Sequence, residues 1–253
     1  MDHPFKRAVR IAARLLWLAG EIVLALIGFG ALIAGQGGIP DHTARARWLQ
    51  QVCRRALRVF PIEPRVVGPV PPSGLLVCNH LGYLDILVVA ATTPCVFVSK
   101  CEVRRWPVFG WFASLAGTLF LRRDKRSDVV RVTREMGRVL DAGVLLVLFP
   151  EGTTSDGREV LPFKSSLLEA ATERPHGLSA GFIEYTLSDG DVAEEVCYWK
   201  DMTLLPHLVN LFGKRGIEAR LCFTELQRAS ADRKQLARQL HCEVVRLKAA
   251  LAA

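Results

Sequence analysis

The sequence predicts an α/β fold: a mostly parallel or mixed central sheet covered by helices on both faces, with an N-terminal membrane-associated helical segment. Three observations carry that reading. After Pro61, short apolar runs alternate with stretches of helical periodicity, the order that builds a sheet with crossover helices. Those runs are continuously apolar rather than alternating, as strands buried on both faces are. Ahead of them stands a run of 21 residues, Leu15 to Gly35, with Glu21 as its only charge. The 253 residues suit one domain with an appendage. Residues 1–60 form the membrane helix or helical hairpin with a basic amphipathic helix, and residues 61–253 form the α/β domain with a basic C-terminal helix.

Roughly 20 apolar residues cross a hydrocarbon core, so Leu15 to Gly35 is long enough to span. Its length and the cysteine usage argue against a cleaved signal peptide. Glu21 lies near the basic end, where it can stay in the interface. Lys6, Arg7, Arg10 and Arg14 precede the run, and Arg45, Arg47, Arg54, Arg55 and Arg58 follow it. Positive charge on both sides leaves the orientation rule nothing to choose between. Two forms stay open: a single span, or a hairpin that enters one leaflet and returns, with Gly28, Gly30, Gly35, Gly37, Gly38 and Pro40 as places to turn. Residues 43–60 read as a basic amphipathic helix with Trp48, Val52, Leu57 and Phe60 on its apolar stripe. Strands are expected at 74–78, 95–99, 118–121, 144–149 and 219–223. Ser127 can cap a helix over 127–141 that carries Val129, Val132, Met136, Val139 and Leu140 at helical spacing. A basic helix over 230–252 ends the chain, and residues 173–200 give no clear pattern.

Half the residues are hydrophobic and the formal net charge is +8. Together with a mean hydropathy of +0.22, these values exclude a disordered chain, a collagen-like repeat and a disulfide-stapled miniature domain. Apolar surface beside excess positive charge fits contact with an anionic lipid surface. Nucleic acid is not expected as a partner, because no stacking platform, zinc-finger spacing or helix-turn-helix pattern accompanies the arginines. The seven cysteines form no C-x-x-C pair and read as small core hydrophobes in a reducing compartment. No metal site is expected.

Three polar clusters follow three apolar runs. The run ending at Cys78 leads into Asn79-His80-Leu81-Gly82-Tyr83-Leu84-Asp85. If the chain turns into a helix there, Asp85 can hold one imidazole nitrogen of His80 and leave the other to accept a proton from a hydroxyl. A His–Asp pair that only pins a loop is the structural alternative. Next, Gly117-Thr118-Leu119-Phe120-Leu121 ends in Arg122, Arg123 and Asp124. Arginine suits phosphate because its planar fork donates two hydrogen bonds. Third, the run ending at Phe149 breaks at Pro150 and offers Glu151, Gly152, Thr153, Thr154 and Ser155. Sheets of this class place their sites at strand carboxyl ends, which makes three such clusters more informative than any one.

These residues resemble the glycerolipid acyltransferase family, which includes the 1-acyl-glycerol-3-phosphate acyltransferases. Asn79-His80-x4-Asp85 is similar to its first motif, Gly117-x-x-Phe120-x-x-Arg123 to its second, and Phe149-Pro150-Glu151-Gly152-Thr153 to its third; the likeness covers about residues 60–225. It implies an enzyme that moves a fatty acyl group from a thioester, acyl-CoA or acyl carrier protein, to the free hydroxyl of a lysolipid. His80 would be the general base and Asp85 its orienting partner. Asn79, Gly117, Phe120, Arg123, Glu151, Gly152 and Thr153 would bind substrate, with Arg123 on the acceptor phosphate. No resident cofactor and no metal are implied. The enzyme would sit at the inner (cytoplasmic) membrane, with its catalytic domain on the cytoplasmic side.

The resemblance puts lysophosphatidate first among acceptors. Two departures point elsewhere. Position 154 is Thr where the family motif continues with Arg, and the apolar stretch 178–187 lacks the proline of a fourth motif. Around 152–157, 162–166 and 198–207 the chain looks similar to a bacterial branch that includes lyso-ornithine lipid acyltransferases, whose acceptor carries no phosphate ester. A catalytically silent lipid-binding adaptor is the alternative outside enzymes. The paired His80 and Asp85 count against it. The absence of a G-x-S-x-G turn counts against a serine hydrolase.

Overall fold

The computed structural model describes residues 4–122, 124–169, 176–227 and 229–252. A seven-stranded mixed sheet forms its centre, built from β1 (Ile62–Val67), β2 (Leu75–Cys78), β3 (Cys95–Lys100), β4 (Leu119–Leu121), β5 (Leu145–Leu148), β6 (Leu178–Leu187) and β7 (Ile217–Glu225). The strand order is β1-β7-β6-β2-β5-β3-β4. Neighbours run parallel except β6 and β7, which are antiparallel. The five runs expected as strands all lie in this sheet. Two further strands were not marked by their patterning. β1 is an edge strand with only Ile62 buried, and Pro64 sits where an edge tolerates a missing N–H. β6 pairs with both β2 and β7, and its burial runs through polar and glycine positions alike.

Helices cover both faces. On one lie α2 (His42–Val59) and α3 (Tyr83–Thr92), where Trp48, Leu57, Val88 and Val89 join Cys78, Phe97 and Val147 in a core. On the other lie α5 (Arg126–Asp141) and, here numbered α8, the C-terminal helix Arg233–Ala252. Val132, Met136 and Leu240 pack there on Leu75, Leu146 and Phe182. Short helices α4 (Phe109–Leu115) and α6 (Val192–Glu195) and the helix α7 (Leu204–Gly213) complete the set. Cys53, Cys78, Cys95, Cys197 and Cys222 are buried as core residues, but Cys101 is half-buried and Cys242 is exposed, so these two are not core hydrophobes.

The N-terminal segment is a helical hairpin with unequal arms. α1 (Pro4–Gln36) runs unbroken through Gly28, Gly30 and Gly35, and the chain turns only at 37–41, where Gly37 takes φ +67°. Asp41 then caps α2 by accepting from the Ala44 amide at 2.8 Å. The returning arm is the basic helix itself. Trp48 donates its indole N–H to the Ala25 carbonyl at 3.0 Å and meets Phe29 edge-on. Glu21 pairs with Arg55 at 2.9 Å, so the one charge of the apolar run is neutralised by α2. At the other end of α1, Arg14 donates to the Phe212 carbonyl at 2.8 Å and Arg10 to that of Gly213 at 2.6 Å. Those carbonyls close α7, whose last turn has no helical N–H to offer them. α1 is therefore tied to the domain at both ends of a helix roughly 50 Å long. Its outer side stays apolar and exposed at Phe5, Leu16, Val23, Leu24 and Ile27.

The sheet centre tolerates no added volume at Gly181. A Cβ there would stand 2.6 Å from Cys78 Sγ and 3.0 Å from the Phe223 ring. Gly181→Ala is expected to lower folding stability by about 1–3 kcal/mol, read as a fall in the unfolding midpoint in detergent.

Candidate active site

β2 ends at Cys78, and Asn79 continues its pairing by other means. The Asn79 side chain donates to the Ile183 carbonyl at 2.9 Å and accepts from the Ile183 amide at 2.8 Å, imitating one more rung of the β2–β6 ladder. It is buried. Asn79, expected at the substrate, is a clamp between two strands. The chain then turns through His80-Leu81-Gly82 into α3, whose third residue is Asp85.

Asp85 is fully buried and accepts four hydrogen bonds. Oδ2 takes the amides of Leu81 at 2.6 Å and Gly82 at 3.0 Å, together with His80 Nδ1 at 2.8 Å. Oδ1 takes the phenol of Tyr185 at 2.8 Å. The carboxylate thus caps the first turn of α3 while it holds the imidazole. Because Nδ1 faces a carboxylate it carries the hydrogen, which leaves the Nε2 lone pair free. Nε2 makes no hydrogen bond among the described residues, and the His80 side chain is 19% exposed. The ring stacks on Phe149 at 4.2 Å between centroids, and Phe149 stacks in turn on Phe97. Phenylalanine on one side and carboxylate on the other fix both the plane and the rotation of the ring.

The loop after β5 closes over this pair. The Ser155 amide donates to the His80 carbonyl at 3.0 Å, and Gly152 turns the chain at φ +76°. Glu151 is buried, and neither of its carboxyl oxygens has a hydrogen bond of good geometry. Burial pushes its pKa up to about 8, with the Asp85 charge adding to the shift and the nearby amides of Leu161 and His80 opposing it. At neutral pH it is largely a neutral acid. Thr153 is exposed.

The second cluster is set apart from the first. β4 lies beyond β5 and β3 from β2, three strand spacings or roughly 14 Å away. Gly117 has φ +83°, and a Cβ on it would come 3.3 Å from the guanidinium of Arg45. The structure gives Gly117 a backbone role: it seats Arg45, which donates to the carbonyls of Leu115 at 2.6 Å and Ser114 at 2.5 Å. Phe120 is half-buried with Arg104 over its ring. Arg123 lies outside the described residues. Among the described residues no three His, Cys, Asp or Glu side chains group as a metal site.

Tyr185 is the residue that sequence reasoning missed. It shares a face of β6 with Ile183, two residues earlier, yet nothing in its neighbourhood announces a partner 100 positions away. Burial, reinforced by the Asp85 charge, pushes its phenol well above the ordinary value, so it stays a donor.

A family model described as "Acyltransferase" matches residues 65–182. A lyso-ornithine lipid O-acyltransferase of Pseudomonas aeruginosa is 36% identical over 248 residues, which cover 94% of this chain and 93% of that one. The chain belongs to the acyltransferase family. A lyso-ornithine lipid O-acyltransferase of Brucella abortus is 38% identical over 76% of this chain and 78% of its own. A 1-acyl-sn-glycerol-3-phosphate acyltransferase of Neisseria meningitidis is 32% identical over 66% and 70%. The crystal structure of the 1-acyl-sn-glycerophosphate acyltransferase PlsC from Thermotoga maritima shares the fold, with TM-score 0.63, 19% identity and coverage of 97% and 98% of the two chains.

Two predictions concern this acyltransferase. Removing the Tyr185 hydroxyl leaves a buried carboxylate oxygen unpaired and makes Asp85 a stronger partner for a protonated imidazole. Tyr185→Phe is expected to lower kcat roughly tenfold, leave KM for both substrates within about twofold, and move the acidic limb of the pH–kcat profile upward. A purely structural role would leave that limb in place. Glu151 binds its proton more tightly folded than unfolded. Its contribution to stability is therefore full below the ordinary carboxyl value and is lost as pH rises through about 8. Glu151→Gln, neutral throughout, should flatten the fall in Tm from pH 5 to 8; an unaltered slope would mean that Glu151 is ionised in the folded chain.

Proposed function

We propose that this acyltransferase moves a fatty acyl group from acyl-CoA or acyl carrier protein to the free hydroxyl of lyso-ornithine lipid. His80 acts as general base and Asp85 orients it. The observation that carries the chemistry is the dyad, with Nδ1 held by a buried carboxylate and Nε2 unoccupied. Nε2 takes the hydroxyl proton as the acceptor oxygen attacks the thioester carbonyl. The tetrahedral intermediate collapses, the C–S bond breaks, and the imidazolium returns its proton to the departing thiolate. The products are an ester and a free thiol, and no acyl-enzyme is required. An adaptor that only binds lipid has no use for this arrangement.

The acceptor reading rests on the likeness along almost the whole chain to the Pseudomonas aeruginosa lyso-ornithine lipid enzyme. Thr154 supports it, since an uncharged residue stands where the motif of phosphate-bearing acceptors continues with Arg. Lysophosphatidate is the second reading, favoured by the Neisseria meningitidis relative.

α1 is long and apolar enough to cross a membrane, but its ties to α2 and α7 favour a mount along a bilayer surface. A pinned helix stands upright in lipid only if the helices it is pinned to enter as well, and α2 carries five arginines. The apolar outer side of α1 would sink into one leaflet, with the exposed Ile39 at the turn and the basic helix at the head groups. We place the enzyme on the cytoplasmic face, where acyl thioesters are at hand.

Incubating membranes with labelled acyl-CoA or acyl carrier protein and each lysolipid in parallel tests this. Label is expected chiefly in ornithine lipid and absent with His80→Ala. A strong preference for lysophosphatidate would move the acceptor and keep the chemistry, whereas acylation that survives His80→Ala would overturn the base.

A further inference from the structure

A cavity of about 370 Å³ opens at the β4 edge of the sheet, lined by His42, Arg45, Arg104, Ser114, Glu135 and Arg138 together with residues 117–120. It lies by β4, so it is separated from the His80 strand by the roughly 14 Å between β4 and β2. Three guanidinium groups reach it from three different elements. Arg45 spends Nε and one terminal nitrogen on the α4 carbonyls, and Nη1 keeps no partner among the described residues. Arg104 lies over the face of Phe120, and neither it nor Arg138 has a carboxylate partner among the described residues. The single acid, Glu135, is already paired with Arg131 at 2.9 Å. The cavity also receives His42 and Arg45 from the first turn of the 18-residue helix α2, whose Ala44 amide is already taken by the Asp41 carboxylate, so it is the side chains of that turn and not its amides that face an anion. His42 opens that turn, and its Nδ1 is buried without a hydrogen bond.

We infer that this cavity is a phosphate-binding site, distinct from the site at His80. The chemistry fits: planar donors converge from separate elements, and the volume admits a phosphodiester with its first attached carbons. The lyso-ornithine acceptor has no phosphate, so two sources remain for such a group: a phospholipid of the membrane or the phosphates of the acyl donor. The position beside the hairpin turn puts the cavity within reach of both. The inference stands on the cavity's own residues, whichever acceptor the enzyme uses.

The test is calorimetric binding to the full chain in dodecyl maltoside, with dihexanoyl phosphatidylglycerol and CoA as probes and dihexanoylglycerol as the phosphate-free control. Arg104→Gln combined with Arg138→Gln is expected to raise Kd for at least one phosphate probe tenfold or more, with Arg138→Lys costing less and His80→Ala nothing. Both arginines are exposed and outside the cores, and an unchanged Tm confirms that the variant is folded. Loss with phosphatidylglycerol assigns the cavity to membrane lipid, and loss with CoA assigns it to the donor. The inference is overturned if neither probe binds the wild type, if the control binds equally well, or if the double variant leaves both Kd values unchanged. Loss of probe binding in His80→Ala would place the phosphate at the catalytic centre instead. Acyl transfer abolished by His80→Ala with probe binding intact keeps the two sites separate.

Discussion

The buried carboxylate of Asp85 is the point on which the candidate active site depends. Its four hydrogen bonds reach the turn after β2, the first turn of α3, the imidazole of His80 and, through Tyr185, strand β6. A carboxylate with no exposed surface is costly unless its lone pairs are satisfied. The donors that meet this cost are also the groups that fix where His80 stands. Capping a helix and orienting a base are one arrangement here, because both require acceptors aimed at the same few ångströms of backbone. Asn79 strengthens the same junction by tying the end of β2 to Ile183. Phe149 closes the side of the imidazole that the carboxylate leaves open.

Much of this was legible in the sequence. The spacing from His80 to Asp85 fits a turn into a helix, and the runs at β2, β3 and β5 read as strands because burial on both faces leaves β2, β5 and the first four residues of β3 without charged or hydroxyl side chains. β1 escaped because an edge strand with one buried residue and a proline presents no period. β6 escaped because its core-facing positions include Gly181 and Tyr185, one kept small by Cys78 and Phe223 and the other polar because Asp85 needs a donor. Neither choice follows from local patterning. Each is dictated by a partner distant in the chain, and a single sequence does not show that partner. The same holds for Gly117, whose missing side chain leaves room for Arg45 from α2.

The hairpin shows how charge and apolar surface divide the work of attachment. The apolar run alone could be a span, yet the arginines before it do not merely flank it: Arg10 and Arg14 close the end of α7. Glu21, unfavourable alone in lipid, becomes the seam between the two arms through Arg55. α2 crosses the domain from the β4 side, where Arg45 holds the end of α4, past the end of α3, where Arg54 donates to the Ala91 carbonyl at 2.9 Å, to α7, where Phe60 meets Phe212. An exposed apolar helix fastened to a helix that crosses the domain in this way transmits its position to the whole sheet. The apolar outer side of α1 and the candidate active site are thereby set in one frame.

That frame also separates two kinds of polar chemistry along the sheet. At β2 and β5 the buried polar groups Asn79 and Asp85 are satisfied, Glu151 is buried without a hydrogen bond of good geometry, and His80 is left partly open with Nε2 free. At β4 they are mainly cationic, with Arg45 half-buried, Arg104 and Arg138 exposed and the one lining acid, Glu135, paired with Arg131, as suits capture of an anion that arrives and leaves. The parallel run β2-β5-β3-β4 sets the spacing between them: His80 follows the carboxyl end of β2, whereas the cationic lining belongs to the segment that leads into and begins β4. The roughly 14 Å between β2 and β4 is long enough to keep the arginines from perturbing the His80–Asp85 pair through a screened medium. It is also short enough for one extended lipid or thioester molecule to reach from one to the other. The distance between the clusters is therefore a physical property of the site in its own right, set by two intervening strands whose apolar sequences are themselves required by burial.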